Sequence, residues 1–173
     1  MQKVILFAVI GWVSIFSSAH RPEKEKIEWL TLAQAEAKMK EQKKSILIDV
    51  YTGWCGWCKV MDKKTYTDES VVSYLQKNFY TVKLDAETRE TLNWQGKSYQ
   101  YNNQYQVNDI AVYFLNGQLS YPTTVIIPSD DNVGPQAIPG YIEPKEFEKL
   151  VKYFGDGYYK KVPYDQYLKG KTN

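Results

Sequence analysis

Cysteine and histidine are scarce in this sequence, which has two Cys and one His among 173 residues. Two cysteines can form a single disulfide, so a small fold held together by a disulfide framework is excluded. A structural zinc site needs four ligands. His20 is the only soft ligand besides the two cysteines, so we expect no intrachain metal site. The fold must therefore be stabilised by a hydrophobic core, which a chain of this length can build.

An excess of one charge is also absent. The chain has 22 Lys and Arg against 20 Asp and Glu, which gives a formal net charge of +2. The two signs are interspersed, whereas nucleic-acid-binding chains concentrate their basic residues in patches. We therefore expect no nucleic-acid partner. The length and a hydrophobic content of 43% predict one globular domain, which we expect to be a monomer.

One long apolar run is present, and it lies at the N-terminus. Residues 4–16 read VILFAVIGWVSIF, with Lys3 before the run and the small residues 17–19 (SSA) after it. This order is typical of a cleaved secretory signal peptide, and the run is shorter than the ~17–25 residues of a spanning helix. We predict a signal peptide over residues 1–19 and a domain over 20–173 that is periplasmic or secreted, with no stable membrane span after cleavage. An uncleaved anchor and a buried core helix are the alternatives.

The remainder of the chain alternates between predicted helices and strands, which indicates an α/β fold around one sheet. Residues 87–106 are rich in Gln, Asn and Tyr and are typical of a long loop or lid. Residues 155–173 form a Tyr-rich C-terminal extension that we expect on the outside of the domain. The predicted strands are residues 45–52, 79–84, 122–127 and a fourth ending at 139–140, and the predicted helices begin near residues 32, 55, 68 and 143.

Both cysteines lie in one short motif, Cys55-Gly56-Trp57-Cys58, directly after a strand that should be buried. Positions i and i+3 of a helix share one face, so the two sulfurs can meet. Unpaired N–H groups at a helix start favour a thiolate, which predicts Cys55 as the nucleophile and Cys58 as the resolving thiol. Haem attachment would need His where this chain has Lys59, and a disulfide closing so small a loop restricts the unfolded chain little. We therefore predict a redox-active disulfide, with no other cofactor.

Asp49 is an acid within the strand sequence ILIDVY, where burial is expected. Buried acids are rare unless they are paired, because desolvation penalises the charged form. The same desolvation raises the pKa of a carboxyl group, which would let Asp49 take a proton from Cys58 as that thiol attacks. A purely structural ion pair is the alternative, since such pairs also perturb pKa values.

The motif and its surroundings resemble the thioredoxin family. Residues 46–59 (ILIDVYTGWCGWCK) are similar to the family's active-site strand and helix start, including the buried Asp, the Trp before the first Cys and the Lys after the second. Residues 121–123 (YPT) resemble the segment with the family's cis-proline, and residues 139–140 (PG) resemble its last strand and closing turn. The resemblance covers residues 44–154, interrupted by an insertion at 87–120.

This resemblance implies a thioredoxin-like three-layer sandwich, in which helices flank a central mixed sheet, with an inserted loop or helical segment and a C-terminal extension. It implies that Lys83 is the partner of Asp49 in proton transfer and that the peptide bond before Pro122 is cis. The family has Pro where this chain has Trp57, and the residues between the cysteines tune the redox potential, so the potential stays open. The implied substrate-binding residues are Trp54, Gly56, Trp57, Tyr121 and Pro122.

Together these features predict an extracytoplasmic thiol–disulfide oxidoreductase that exchanges disulfides with protein substrates and depends on an unidentified upstream redox partner. The reductive direction is favoured, because Asp49, Lys83 and the Trp-Cys-Gly start resemble reducing thioredoxins. A disulfide oxidase or isomerase is the alternative within this class. A binding or chaperone module, in which the Tyr-rich insertion holds a partner, is the alternative from another class.

Overall fold

The computed structural model describes residues 25–130 and 132–170, and the predicted signal peptide at residues 1–19 lies outside them. Its helices are α1 (Leu32–Glu41), α2 (Gly56–Lys64), α3 (Glu69–Asn78), α4 (Asp109–Phe114), α5 (Pro144–Gly155) and α6 (Tyr164–Leu168), with a 3-10 helix at Tyr158–Lys160. Its strands are β1 (Trp29–Leu30), β2 (Ser45–Tyr51), β3 (Phe79–Asp85), β4 (Leu92–Trp94), β5 (Lys97–Tyr99), β6 (Tyr101–Asn102), β7 (Val107–Asn108), β8 (Thr123–Ile127) and β9 (Gln136–Pro139). The predicted alternation of helices and strands is confirmed.

Five of these strands form one mixed sheet in the order β1-β3-β2-β8-β9. β2 is parallel to β3 and antiparallel to β8, so the strand that precedes the cysteine motif lies at the centre of the sheet. Every residue of β2 before Tyr51 is buried. A near-continuous apolar strand is what a position with helices on both sides requires.

Helices cover both faces of the sheet and complete the three-layer sandwich that the thioredoxin resemblance implied. On one face, α1 and α4 pack against Ile46, Ile48 and Val50 of β2. On the other face, α2, α3 and α5 pack against Leu47. Because side chains alternate along a strand, Asp49 belongs to the second face, which α2 covers.

Polar caps start the helices where the sequence predicts them. Thr31 and Gln34 form a reciprocal capping box at α1, and Asp68 accepts hydrogen bonds from the first turn of α3. Each such cap stabilises its helix by about 1 kcal/mol. At α2 the N-cap residue is Cys55, so the sulfur chemistry takes place at a helix start.

Residues 87–106 are not the loop or lid that their composition suggested. Residues 92–108 form two short antiparallel hairpins, β4–β5 and β6–β7, the second of which ends two residues beyond this segment and leads directly into α4. Trp94 is buried and its ring contacts that of Phe114 at 5.7 Å between centroids. The insertion is therefore part of the core on the α1 and α4 face of the sheet.

Asn108 ties this insertion to the central strand. Its side chain is fully buried, and its Nδ2 donates hydrogen bonds to the carbonyl oxygens of Thr88 at 3.3 Å and Glu90 at 2.9 Å. Its backbone N–H donates to the Ala86 carbonyl, and the Ala86 N–H donates to the carbonyl of Tyr51 at the end of β2. The start of the insertion is thus fixed against the end of the strand that leads to the cysteines.

Residues 156–170 of the C-terminal extension pack on the outside of α5, as expected. Tyr164 and Tyr167 contact the ring of Tyr153 at 5.0 and 5.3 Å between centroids. Tyr159 contacts Phe154 at 5.5 Å. These rings extend the core on the α2, α3 and α5 face, so the described part of the extension has a structural role.

Candidate active site

The two cysteines form a disulfide at the start of α2. Cys55 is the N-cap residue, and its Sγ accepts a hydrogen bond of 3.0 Å from the backbone N–H of Cys58. The predicted contact between positions i and i+3 at a helix start is therefore confirmed. Each cysteine is only 4% exposed, so a partner sulfur has a small opening through which to approach them.

Asp49 lies on β2, on the face that α2 covers, and is 1% exposed. The sheet register places Lys83 of β3 and Thr124 of β8 directly opposite it. Burial raises the pKa of the Asp49 carboxyl group from 3.8 to about 6, while Lys83 lowers this pKa and the Asp62 charge raises it further. A carboxyl group with a pKa near 6 can both accept and release a proton close to neutral pH, as a proton acceptor in catalysis must.

Lys83 lies between two carboxyl groups. Its Nζ is 3.6 Å from Asp49 Oδ2, which is the pairing that the resemblance implied, and it forms a closer ion pair with Asp62 of α2. Asp62 is not among the residues that the sequence predicted. Because it follows the second cysteine by four residues on the same helix, the i, i+4 spacing could have indicated it. The Lys83 ammonium group also lies 5.4 Å from the Trp29 ring and 5.2 Å from the Tyr51 ring, which adds cation–π attraction.

At this position three buried polar atoms have no hydrogen-bond partner among the residues that the structure describes: Asp49 Oδ1, the Tyr66 hydroxyl and Thr124 Oγ1. Burial, and after it the Asp49 charge, raises the pKa of Tyr66 well above its usual value. The Tyr66 hydroxyl and the carboxylate thus influence each other's protonation, although their contact does not have hydrogen-bond geometry. A carboxylate with an unsatisfied oxygen is poorly solvated, which is the physical cause of its raised pKa.

The predicted substrate-binding residues surround the disulfide with aromatic surface. Trp54 and Trp57 are 68% and 62% exposed. The Trp54 ring contacts Tyr121 edge-on at 6.0 Å, and its Nε1 donates a hydrogen bond of 2.8 Å to Glu87 Oε1. The Trp57 ring stacks on Tyr141 at 5.4 Å. Sequence reasoning missed Glu87 and Tyr141, because only the folded sheet brings them beside the two indoles.

A shallow groove of about 220 Å³ runs along this surface. The peptide bond between Tyr121 and Pro122 is cis, which confirms the prediction. The Pro122 carbonyl accepts a 2.8 Å hydrogen bond from the Gly140 N–H, and Gly140 adopts a φ of +96° that favours glycine. We call this feature the aromatic groove, and its lining residues are Trp57, Tyr121, Pro122, Gly140 and Tyr141.

Gly56, the remaining predicted residue, has open space beside it: apart from its chain neighbours and the backbone of α2, no described atom lies within 4 Å of where a side chain would begin. Within residues 25–130 and 132–170, no group of three or more His, Cys, Asp or Glu side chains could hold a metal ion. A second cavity of about 440 Å³, beside α1 and the start of β3, has no redox-active side chain in its lining. The reactive groups therefore centre on the disulfide. In the same described ranges, no helix has the length and apolar character needed to cross a membrane.

Comparison with known sequences identifies relatives of this chain. The profile of the Thioredox_DsbH family, described as a protein of unknown function (DUF255), matches residues 14–151. The chain is 29% identical over 98 residues to the thiol:disulfide interchange protein DsbD of Campylobacter jejuni (strain RM1221). That match covers 57% of this chain and 17% of the relative, so the chain corresponds to a small part of that longer protein.

Comparison with solved structures shows the fold. A structure described as DsbH oxidoreductase has a TM-score of 0.56 and 15% identity, and the match covers 79% of this chain and 90% of that chain. A thioredoxin-fold protein from Helicobacter pylori has a TM-score of 0.55 and 17% identity, with 75% and 83% covered. Both likenesses extend over most of the described domain.

Proposed function

The chain belongs to the Thioredox_DsbH family, and we propose that it is an extracytoplasmic thiol–disulfide oxidoreductase that reduces protein disulfides through Cys55 and Cys58. The observation that carries this proposal is the disulfide between these residues at the N-cap of α2, in a thioredoxin fold. The protein works as a monomer with no cofactor beyond this disulfide. An upstream redox partner returns it to the dithiol state.

The reductive cycle consists of two exchange steps. The Cys55 thiolate attacks one sulfur of a substrate disulfide, forms a mixed disulfide and displaces the other substrate sulfur as a thiolate. Cys58 then loses its proton, attacks Cys55 Sγ and displaces the second substrate sulfur. The substrate gains two electrons and, after protonation, two thiols, while the enzyme is oxidised to the disulfide. A dithiol of the upstream partner reduces that disulfide in the same way.

The surroundings of the disulfide support a separate role for each sulfur. The backbone N–H of Cys58 points at Cys55 Sγ from a distance of 3.0 Å, so it stabilises negative charge on that sulfur. Asp49, with a pKa of about 6, accepts the proton of Cys58 in the resolving step. Lys83 and Asp62 are positioning residues in this scheme, because their opposite charges set the proton affinity of Asp49.

The substrate lies on the aromatic surface around the opening to the disulfide. Trp54 and Trp57 contact it with their exposed rings, and Gly56 has open space beside it. Tyr121 and Pro122 contribute the wall of the aromatic groove. Aromatic side chains provide large contact areas at a low cost in conformational entropy, which suits a surface that meets many different chains.

Location and direction rest on separate arguments. The periplasmic or secreted location is supported by the signal-like residues 4–16 and by the similarity to DsbD, a thiol:disulfide interchange protein. The reductive direction is supported by the likeness of residues 46–59 to thioredoxin, with a buried Asp49 beside Lys83.

Reduction of a protein disulfide such as that of insulin, with dithiothreitol as the upstream reductant, tests the activity. The wild-type chain should accelerate the reaction, Cys55→Ser should abolish the acceleration, and Cys58→Ser should accumulate a mixed disulfide at Cys55. A wild-type chain that is no faster than Cys55→Ser would contradict the proposal.

Equilibration with a glutathione buffer tests the direction. A reduction potential near about −270 mV supports a reductase, whereas a potential near about −120 mV indicates an oxidase. A chain in which Cys55 and Cys58 are both replaced by Ser separates catalysis from chaperone function. If this double variant assists refolding of a cysteine-free protein as well as the wild type does, the chain is a binding module.

A further inference from the structure

The aromatic groove and Trp54, which contacts its Tyr121, offer two exposed indole rings, each packed against a tyrosine. Trp57 stacks on Tyr141, and Trp54 lies edge-on against Tyr121. Both indoles remain more than half exposed in spite of these contacts. Indole faces are the strongest aromatic partners for cations, so this surface suits the side chains of Lys and Arg as well as apolar groups.

The charged groups around the groove tyrosines are acids. Burial, followed by the charges of Glu87 and Asp85, raises the pKa of Tyr121 to about 12. Burial and then Glu143 raise the pKa of Tyr141, whose hydroxyl lies beside that carboxylate without hydrogen-bond geometry. Glu87 and Glu143, which we call the rim of the groove, therefore place negative charge beside its tyrosines and Trp54, although the whole chain has a formal net charge of +2.

The negative charge of Glu87 is held in place beside the site. Its Oε1 accepts the 2.8 Å hydrogen bond from Trp54, and its backbone N–H donates to Asp85 Oδ1 at 3.0 Å. The lysine nearest to Trp57 in the sequence is Lys59, which follows it by two residues. Two residues correspond to about 200° around a helix. Lys59 therefore leaves the helix on a different side from Trp57.

We propose that the aromatic groove selects substrates whose reactive cysteine is flanked by Lys or Arg in an extended segment of polypeptide. The inference rests on the proposed function, because the occupant must present a disulfide to Cys55. A cationic side chain in this position meets an indole face and a fixed carboxylate at the same time. The cation–π contact and the ion pair are each modest at an exposed site. Together they favour a substrate with Lys or Arg beside its cysteine over one with Asp or Glu there.

The backbone of the groove supports an extended occupant. Among the described residues, neither the N–H nor the carbonyl of Tyr121 has a backbone partner. Both groups lie at the entrance to β8, where an added peptide can pair with them in the manner of a strand. Backbone pairing is independent of sequence, so the choice among peptides comes from the side chains next to the cysteine.

Three peptides of equal length test this preference. They contain the same internal disulfide and differ in whether the residues flanking the first cysteine are Lys, Gln or Glu. The reduced full-length chain should reduce the Lys peptide about fivefold faster than the Glu peptide in kcat/KM at low salt, with the Gln peptide between them. The ratio should approach one near about 1 M salt, where the Debye length is only about 3 Å. Equal kcat/KM for the three peptides at low salt would overturn the proposal.

Variants in which Glu87 or Glu143 is made neutral test whether these acids cause the preference for the Lys peptide. Glu87→Gln keeps an oxygen that can accept the Trp54 hydrogen bond, and Glu143→Gln keeps the shape of its side chain, so each should reduce the Lys-to-Glu ratio by about half. Glu146→Gln is the matched control, because Glu146 lies in the first turn of α5 and pairs with Lys149. It should leave the ratio unchanged. A ratio that survives both rim substitutions would show that other groups cause the preference and would overturn the assignment to this groove.

Binding measurements with peptides that contain no disulfide distinguish this inference from the proposed function. Versions of the three peptides with Ser in place of both cysteines can be titrated calorimetrically into the oxidised chain. The dissociation constants should follow the same order, Lys below Gln below Glu. If the disulfide peptides are not reduced but the Ser peptides keep this order, the proposed function fails and the groove assignment stands. If reduction occurs and the order is absent, the groove assignment fails.

Discussion

Lys83 forms its closer ion pair with Asp62 on α2, while its Nζ stays 3.6 Å from Asp49 on the neighbouring strand. One ammonium group is thus shared between two carboxyl groups that have different surroundings. Asp49 is buried, whereas the Asp62 side chain is 38% exposed. The exposed acid therefore limits how much of the positive charge of Lys83 is available to the buried one.

Asp62→Asn should make Asp49 a stronger acid. The substitution removes a negative charge that raises the pKa of Asp49 and leaves Lys83 to interact with Asp49 alone, so this pKa should fall below about 6. In a plot of the rate of the resolving step against pH, the acid limb should therefore move to lower pH by roughly one pH unit. The measurement is the rate at which Cys58 releases a chromogenic thiol from a mixed disulfide at Cys55, followed across pH.

Asp165→Asn is the control for that experiment. Asp165 is an exposed acid on α6 that pairs with Lys169, so its removal changes the net charge equally without touching the site. Its pH profile should overlay that of the wild type. An Asp62→Asn profile that also overlays the wild type would show that Asp62 does not set the proton affinity of Asp49.

Asp49→Asn should stabilise the oxidised fold at neutral pH. The folded pKa of about 6 lies above the ordinary value of 3.8, so the folded state binds this proton more tightly than the unfolded state does. The contribution to stability is fully present below pH 3.8 and is lost as pH rises through 6. By about pH 7 the ionised group costs about 3 kcal/mol relative to its protonated form. Asn removes this cost, and Lys83 keeps Asp62 as its partner.

Urea unfolding of the oxidised wild type and Asp49→Asn at two pH values checks this expectation. The free energy of unfolding of Asp49→Asn minus that of the wild type should be about 2–3 kcal/mol larger at about pH 7 than at about pH 4. The comparison between pH values cancels any constant effect of the amide group on packing. The same advantage at both pH values would show that Asp49 has an ordinary pKa in the folded protein.

Cys55 should be the faster thiol in the reduced protein. The two side chains are equally exposed, at 4% each, so a difference in reactivity would reflect the stability of the thiolate and not access. The Cys58 N–H donates to the Cys55 sulfur. Limited reaction with iodoacetamide, followed by peptide mass spectrometry, should find at least about tenfold more label on Cys55. Equal labelling of Cys55 and Cys58 would contradict the assignment of Cys55 as the nucleophile.

Asn108→Ala should destabilise the domain and loosen the residues beside Trp54. The substitution removes the side-chain donor to the carbonyl groups of Thr88 and Glu90, whose hydrogen bonds are partly buried, at a cost of about 1–3 kcal/mol. The expected readouts are a lower urea midpoint and faster amide hydrogen exchange over residues 86–90. Asn103→Ala, at an exposed position of the same insertion, should change neither quantity.

The parts of the site that the sequence predicted are those with a local signal. The apolar strand before Cys55 and the spacing to Cys58 indicated the strand, the helix start and the contact between the sulfurs. The burial of Asp49 followed from its apolar neighbours. Lys83 came from family resemblance, and the register of two parallel strands then placed it opposite Asp49.

The parts that the sequence did not predict depend on structure that forms at a distance. Glu87 reaches Trp54, and Tyr141 reaches Trp57, only after the sheet brings separate segments together. The two hairpins of residues 92–108 have strands of two or three residues, which are too short to show a period of two. Their polar composition therefore suggested a loop, although buried Trp94 fixes them to the core.

Because its tryptophans differ in exposure, the intrinsic fluorescence of the protein should report the state of the disulfide. Trp54 and Trp57 are exposed next to the disulfide, whereas Trp94 is 2% exposed on the opposite face of the sheet. Disulfides quench the emission of nearby indoles, so opening of the Cys55–Cys58 bond should brighten the two exposed residues and leave Trp94 unchanged. Turnover can then be followed in real time on the unlabelled protein, and a change in Trp94 emission would report unfolding separately.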